Sequence, residues 1–174
     1  MKIFYIMGKS ASGKDYMKQR LIASLRSLGL LIPACVTKDM ICREHIFTPN
    51  AVFKSLEDKQ FFAETRSYTM IDRETNEPIE VYYGTPNVKT EMTKCMMENE
   101  SMLLIGSGTP ESFLKLRSVY TESELIGIYL KVSDKERLAR AINRECRNKN
   151  PKYDEVCRRY LKEQGENFWY TVSI

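Results

Sequence analysis

An apolar and aromatic run, Ile3-Phe4-Tyr5-Ile6-Met7, leads directly into Gly8-Lys9-Ser10-Ala11-Ser12-Gly13-Lys14-Asp15. No other feature restricts the fold of this chain so tightly. The run reads as a short strand. Residues 15–28 carry Met17, Leu21, Ile22, Leu25 and Leu28 at helical spacing, and Gly29 is a stop signal. Between a strand and a helix, Gly-x4-Gly-Lys spacing lets a loop turn its backbone N–H groups around a polyphosphate while the lysine reaches the outer phosphates. The N-terminus of the helix adds its own positive end. Gly8, Lys9, Ser10, Ala11, Ser12, Gly13, Lys14 and Asp15 are therefore the candidate phosphate-binding residues. The position after the lysine is ordinarily a serine or threonine that helps hold Mg²⁺, and here it is Asp15.

At 174 residues the chain is long enough to bury one full core, so a single domain with an insertion is expected. A net charge of +4 with 29% charged residues suits acidic small molecules but lacks the dense basic stripe of a nucleic-acid binder. No uncharged apolar run reaches the length of a membrane span, and Lys2 precedes a strand pattern rather than a signal-peptide core. A cytoplasmic protein with no membrane and no nucleic-acid partner is expected. The five cysteines, Cys35, Cys42, Cys95, Cys146 and Cys157, contain no C-x-x-C pair and have only His45 as an imidazole neighbour. They read as reduced thiols rather than a zinc site.

Further along, residues 30–36 form a candidate strand limited by Pro33 to an edge or a beginning. Residues 102–105 and 125–130 are continuous apolar runs of the kind buried on both faces of a parallel sheet, and residues 168–174 supply a fifth candidate. Helical patterns cover about 89–99, 110–119, 134–148 and 153–165. This alternation predicts a doubly wound α/β core. Residues 37–86 break the pattern, with Ser67 to Asp72 and Ile79 to Tyr83 reading as a hairpin, and an insertion of this length reads as a substrate lobe.

Phe62-Ala63-Glu64 and Tyr82-Tyr83-Gly84-Thr85-Pro86 join the N-terminal loop to complete a recognisable set. With them the chain resembles guanylate kinase and its relatives, the P-loop nucleoside monophosphate kinases. The resemblance implies a P-loop NTPase-type, mostly parallel five-stranded sheet flanked by helices. Residues 1–36 and 87–174 would form the core, 37–86 an inserted α+β monophosphate lobe, and the region near 134–160 an arginine-bearing helical lid. It further implies ATP as phosphate donor, Mg²⁺ as the metal and GMP as the favoured acceptor. Glu64 would accept from the guanine N–H groups, Tyr83 would meet the monophosphate and Thr85 the base.

Two departures from the family pattern stand out. Where a Ser-x-x-x-Arg-x-x-Arg segment clamps the monophosphate, this chain has Thr37 for the serine but Ile41 and Glu44 for the arginines, leaving Lys38 and Arg43 nearby. A planar bidentate guanidinium has no equal substitute at a phosphate site. The third strand, where the family carries an aspartate, continues here as Gly106-Ser107-Gly108-Thr109-Pro110-Glu111, with Thr109 and Pro110 reading as a helix cap. Asp15 is the candidate replacement for that missing carboxylate as a Mg²⁺ ligand.

Ser133 to Glu136 form a capping box, after which Arg137, Arg140, Arg144 and Arg147 fall within about 80° of helical arc as a basic ridge. Arg140, Arg144 and Arg159 lie near the family's lid arginines, where with Lys14 they would neutralise charge on a transferring phosphoryl group. The function expected is ATP-dependent phosphoryl transfer to a nucleoside monophosphate, GMP to GDP first among them. A P-loop kinase for another small phosphorylated acceptor, or a catalytically inactive guanylate-kinase-like protein-binding module, are the alternatives.

Overall fold

The computed structural model describes residues 2–25, 29–31, 34–36, 45–72, 75–90 and 103–164. In chain order the elements are β1 (Lys2–Met7), α1 (Lys14–Leu25), β2 (Gly29–Leu31), β3 (Ala34–Val36), β4 (His45–Phe47), α2 (Asn50–Asp58), β5 (Phe62–Ile71) and β6 (Pro78–Pro86). There follow β7 (Leu103–Gly108), α3 (Pro110–Arg117), β8 (Leu125–Tyr129), α4 (Asp134–Glu145) and α5 (Tyr153–Gln164).

β1 is apolar from Ile3 to Met7, where both of its faces are covered, and only Lys2 at its start is exposed. Ile3, Tyr5 and Met7 pack on one side with Leu104, Phe113, Leu116 and Leu125, while Ile6 and Ile105 are also fully buried. Burial of each large side chain contributes roughly 1.5–3 kcal/mol. Its sheet runs in the order β2-β7-β1-β8, and every neighbouring pair is parallel. From β1 the chain crosses β7 to reach β2, and from β7 it crosses β1 to reach β8. The connections leave β1 and β7 in opposite directions, so the crevice beyond the C-terminal ends of these two strands is the topological switch point where open α/β sheets bind ligands. The Gly8–Asp15 loop leaves one of these ends and Thr109 leaves the other.

A second sheet, in the order β4-β3-β6-β5, carries the inserted region. β5 and β6 form the expected hairpin, extended beyond its predicted limits, with Glu64 opposite Thr85, Arg66 opposite Tyr83 and Tyr68 opposite Val81. Beneath it Phe53 of α2 stacks on Phe62 at 4.6 Å between ring centroids, and Phe61 completes a small separate core.

The single strand expected over residues 30–36 is two strands in different sheets. β2 pairs with β7, while β3 pairs with β4 and β6. Pro33, which has no N–H to give to a ladder, falls between them in the sequence. The described core sheet therefore has four strands. The fifth candidate, 168–174, lies outside the described residues, as does most of the helix expected at 89–99.

Candidate functional site

The loop after β1 is shaped by crowding. A Cβ on Gly8 would stand 2.7 Å from Ser12 Oγ and 3.0 Å from the Leu130 carbonyl oxygen, and Gly13 has φ +93°, a region that disfavours side chains. Between them Ala11 takes φ 59°, a left-handed conformation held at a non-glycine residue. Inside the turn the Lys14 ammonium donates to the carbonyl oxygens of Gly8 at 2.7 Å and Lys9 at 3.0 Å. Burial lowers the Lys14 pKa, which the nearby Asp15 and Glu163 carboxylates oppose. Ser12 Oγ is buried in the loop without a hydrogen-bond partner.

Two helices far along the chain hold the loop. The Ser10 N–H donates to Glu163 Oε1 on α5 at 2.7 Å, and the Ser10 carbonyl accepts from Arg137 Nη1 on α4 at 3.0 Å. Arg137 also donates to Glu163 Oε2 at 2.7 Å and to Asp134 Oδ1, and it lies over the Tyr160 ring at 5.6 Å. Its side chain is only 2% exposed. Arg137 is therefore a buried pin rather than a member of the surface ridge that the helical arc implied. Arg140 and Arg144 are exposed on α4, with Arg140 Nη1 at 3.4 Å from the Ser12 carbonyl and also paired with Glu136. Arg159, expected beside them, is exposed on α5 and pairs with Glu155 at 2.6 Å.

Asp15, in the first turn of α1, has a side chain 70% exposed and lies 3.8 Å from Lys18 Nζ, which also donates to Ser107 Oγ at the end of β7 at 3.2 Å. Among the described residues no three His, Cys, Asp or Glu side chains group as a metal site. Asp15 is a hard oxygen donor at the end of the glycine-rich loop. One such carboxylate together with phosphate oxygens is a sufficient donor set for Mg²⁺.

The second cluster lies on the inner face of the hairpin. Strand alternation puts Glu64, Arg66 and Tyr68 of β5 on one face with Tyr83 and Thr85 of β6. The Glu64 side chain has no exposure and lies 2.8 Å from Arg66 Nη1. Oε1 accepts from Arg66 Nη1 at 3.0 Å and from Ser112 Oγ of α3 at 3.0 Å, while Oε2 accepts from Arg66 Nη1 and from Thr85 Oγ1 at 3.1 Å. Arg66 lies 5.4 Å from the Tyr83 ring and 5.9 Å from the Tyr68 ring, and these rings meet edge to face. Ser112 is placed by its cap: Thr109 Oγ1 accepts the Ser112 N–H at 3.2 Å, with Pro110 in the first turn. Contacts also run from the helical pair to the hairpin, where Lys152 Nζ donates to Asn76 Oδ1 at 2.8 Å and Lys162 Nζ lies over Tyr68 at 5.7 Å.

Of the residues expected from sequence, Gly8 to Asp15 and Arg140 share one end of the sheet, and Glu64, Tyr83 and Thr85 share one hairpin face. Thr37, Lys38 and Arg43 lie outside the described residues. Sequence reasoning missed Tyr5, Arg66, Ser112 and Glu163. Arg66 was detectable as Glu64 plus two on a strand. Glu163 carried no local signal.

No family model matches the chain, and no curated protein does. Among solved structures it is similar to guanylate kinase from Anaplasma phagocytophilum, with a TM-score of 0.52, 13% identity, and coverage of 96% of this chain and 88% of that one. That likeness is one of fold: the chain has an α/β architecture of the guanylate kinase type. No described helix is long and apolar enough to cross a membrane.

Proposed function

We propose that the protein transfers the γ-phosphoryl group of ATP to a nucleoside monophosphate, with GMP the leading acceptor. The observation that carries this reading is the Gly8–Asp15 loop, with Lys14 folded into it, at the switch point of a parallel sheet. The loop N–H groups and Lys14 would bind the donor phosphates, and Arg140 and Arg144 would supply positive charge as the phosphoryl group moves. Arg159 would join them after releasing Glu155. Mg²⁺, held by Asp15 and the phosphates, would neutralise charge between them. The hairpin residues Glu64, Tyr83 and Thr85, with Thr37, Lys38 and Arg43, would hold the acceptor. Positioning and electrostatics supply most of phosphoryl-transfer catalysis, so no general base is required. Closing the helical pair over the hairpin would keep water from the phosphoryl group.

The test is ADP release from Mg²⁺ and ATP across a panel of nucleoside monophosphates. Turnover that requires a monophosphate and falls about 10²–10³-fold in Lys14→Met is the expected result. ATP hydrolysis indifferent to every monophosphate, or no turnover at all, would refute it. Asp15→Ser is expected to raise the Mg²⁺ concentration for half-maximal rate, and full activity at unchanged Mg²⁺ would remove Asp15 from the metal site.

A further inference from the structure

Both backbone groups of Ser10 are taken by one ion pair. The N–H donates to Glu163 Oε1 at 2.7 Å, the carbonyl accepts from Arg137 Nη1 at 3.0 Å, and the same nitrogen donates to Glu163 Oε2 at 2.7 Å. The pair joins α4 to α5, and its guanidinium is 2% exposed. Hydrogen bonds to ionised groups are roughly twice as strong as neutral ones, so both peptide groups are firmly held.

The Ser10 N–H and C=O belong to successive peptide planes, and fixing both planes fixes the backbone angles between them. Ala11 comes next at φ 59°, a conformation that a residue with a side chain keeps only where its surroundings over-determine it. One residue further on, the Ser12 carbonyl lies 3.4 Å from Arg140 Nη1, also on α4. In a trans peptide the C=O and the following N–H point in opposite directions. Holding the Ser10 and Ser12 carbonyls to α4 therefore turns the Ala11 and Gly13 N–H groups away from it. Backbone N–H groups presented by a turn of this kind are what an anion binds.

Charge alone argues the other way. Lys14 feels both the Glu163 carboxylate and the Arg137 guanidinium, so Glu163 puts a negative charge near a loop whose expected ligand is an anion. By Coulomb's law its removal should tighten phosphate binding, and removal of Arg137 should weaken it.

We propose that Glu163 is a positioning residue for the donor phosphates, which with Arg137 presets the Ser10 and Ala11 backbone of the Gly8–Asp15 loop. This rests on the phosphate-binding reading of the loop given above. The two members of the pair then act as one unit, and the loss of either one weakens phosphate binding whatever the sign of the charge removed.

Calorimetric binding of Mg²⁺-ADP and of inorganic tripolyphosphate to the full chain, to Glu163→Met, to Arg137→Met and to the double variant tests this. Each single variant is expected to weaken both ligands about tenfold, a factor worth 1.4 kcal/mol, although the two change local charge in opposite directions. The double variant leaves neither member of the pair stranded, so it should melt above Arg137→Met and yet bind within about threefold of the weaker single variant. In turnover the KM for ATP should rise about tenfold in Glu163→Met with the monophosphate KM unchanged, whereas a merely destabilised chain would lose both. Tighter binding by Glu163→Met, unchanged binding in either single variant, weakening confined to ADP, affinity that recovers with stability in the double variant, or a wild-type chain that binds no tripolyphosphate would each overturn the proposal. Weakening of both ligands in a chain that releases no ADP with any monophosphate would refute the kinase reading and leave this one standing.

Discussion

Ser10 and Glu163 stand 153 positions apart in the chain, and the Glu163 carboxylate accepts the Ser10 amide N–H at 2.7 Å. Its other oxygen meets Arg137, which also donates to the Ser10 carbonyl. The shape of the Gly8–Asp15 loop therefore depends on the last described helix, and any displacement of Ser10 must also strain its contacts to α4 and α5.

Arg137→Met keeps the aliphatic bulk but leaves Asp134, Glu163 and the Ser10 carbonyl without their common donor. Breaking a buried charge pair from one side costs about 3–5 kcal/mol, and the partial exposure of both carboxylates puts the expected loss at the low end, about 3 kcal/mol. Urea unfolding measures it. Weaker binding of Mg²⁺-ADP should accompany the loss, whereas unchanged nucleotide affinity would separate the pin from the loop.

Glu64 and Arg66 are expected to be strongly coupled. Arg66→Met leaves a carboxylate of no exposure without its counter-charge, at a cost of about 3–5 kcal/mol. Adding Glu64→Gln to the same chain removes the stranded charge and should recover at least about 2 kcal/mol of it. A double-mutant cycle by chemical denaturation gives the coupling, and additive losses would show that the pair is not one unit.

Gly108→Ala is expected to destabilise by about 1–3 kcal/mol, because the new methyl overlaps the Tyr5 hydroxyl. Tyr5→Phe in the same chain should restore part of this, since Cζ remains 3.1 Å from the added carbon after the hydroxyl is gone. Thermal unfolding of the two single variants and the double variant decides the matter. Gly108→Ala with wild-type stability would mean that Tyr5 does not occupy this space.

Alkaline stability should fall in a defined window. Burial pushes the phenols of Tyr5 and Tyr120 up from 10.0 to about 12. Between these values the unfolded chain has lost protons that the folded chain keeps, so unfolding becomes more favourable as pH rises. The contribution is fully present below pH 10 and declines by about 1.4 kcal/mol per pH unit for each tyrosine up to pH 12. Urea midpoints across this range measure the slope, and Tyr5→Phe should remove one tyrosine's share. An unchanged slope in Tyr5→Phe would show that the phenol titrates normally.

The loop, its flanking strand and helix, the hairpin and the cap at Thr109 were legible because each is written in contiguous residues: an apolar run, a glycine spacing, an alternation, a Thr-Pro pair. The division of residues 30–36 between two sheets was not, since three-residue strands take their partners from β7 and β6, far away in the chain. Arg137 shows the same limit. Helical arc alone placed it among exposed arginines, and only the approach of Glu163 and Ser10 buries it.

By itself, the sequence determined that a strand, a glycine-rich turn and a helix would follow one another over residues 2–25, because backbone conformation and hydrophobic period are local properties. Which groups meet across the fold was decided by tertiary structure alone. The Glu64 carboxylate is filled by Arg66, Ser112 and Thr85, and Tyr5 stands where β7 has no side chains. Hydrogen-bond satisfaction and excluded volume are properties of neighbours in space, and the chain order does not name them.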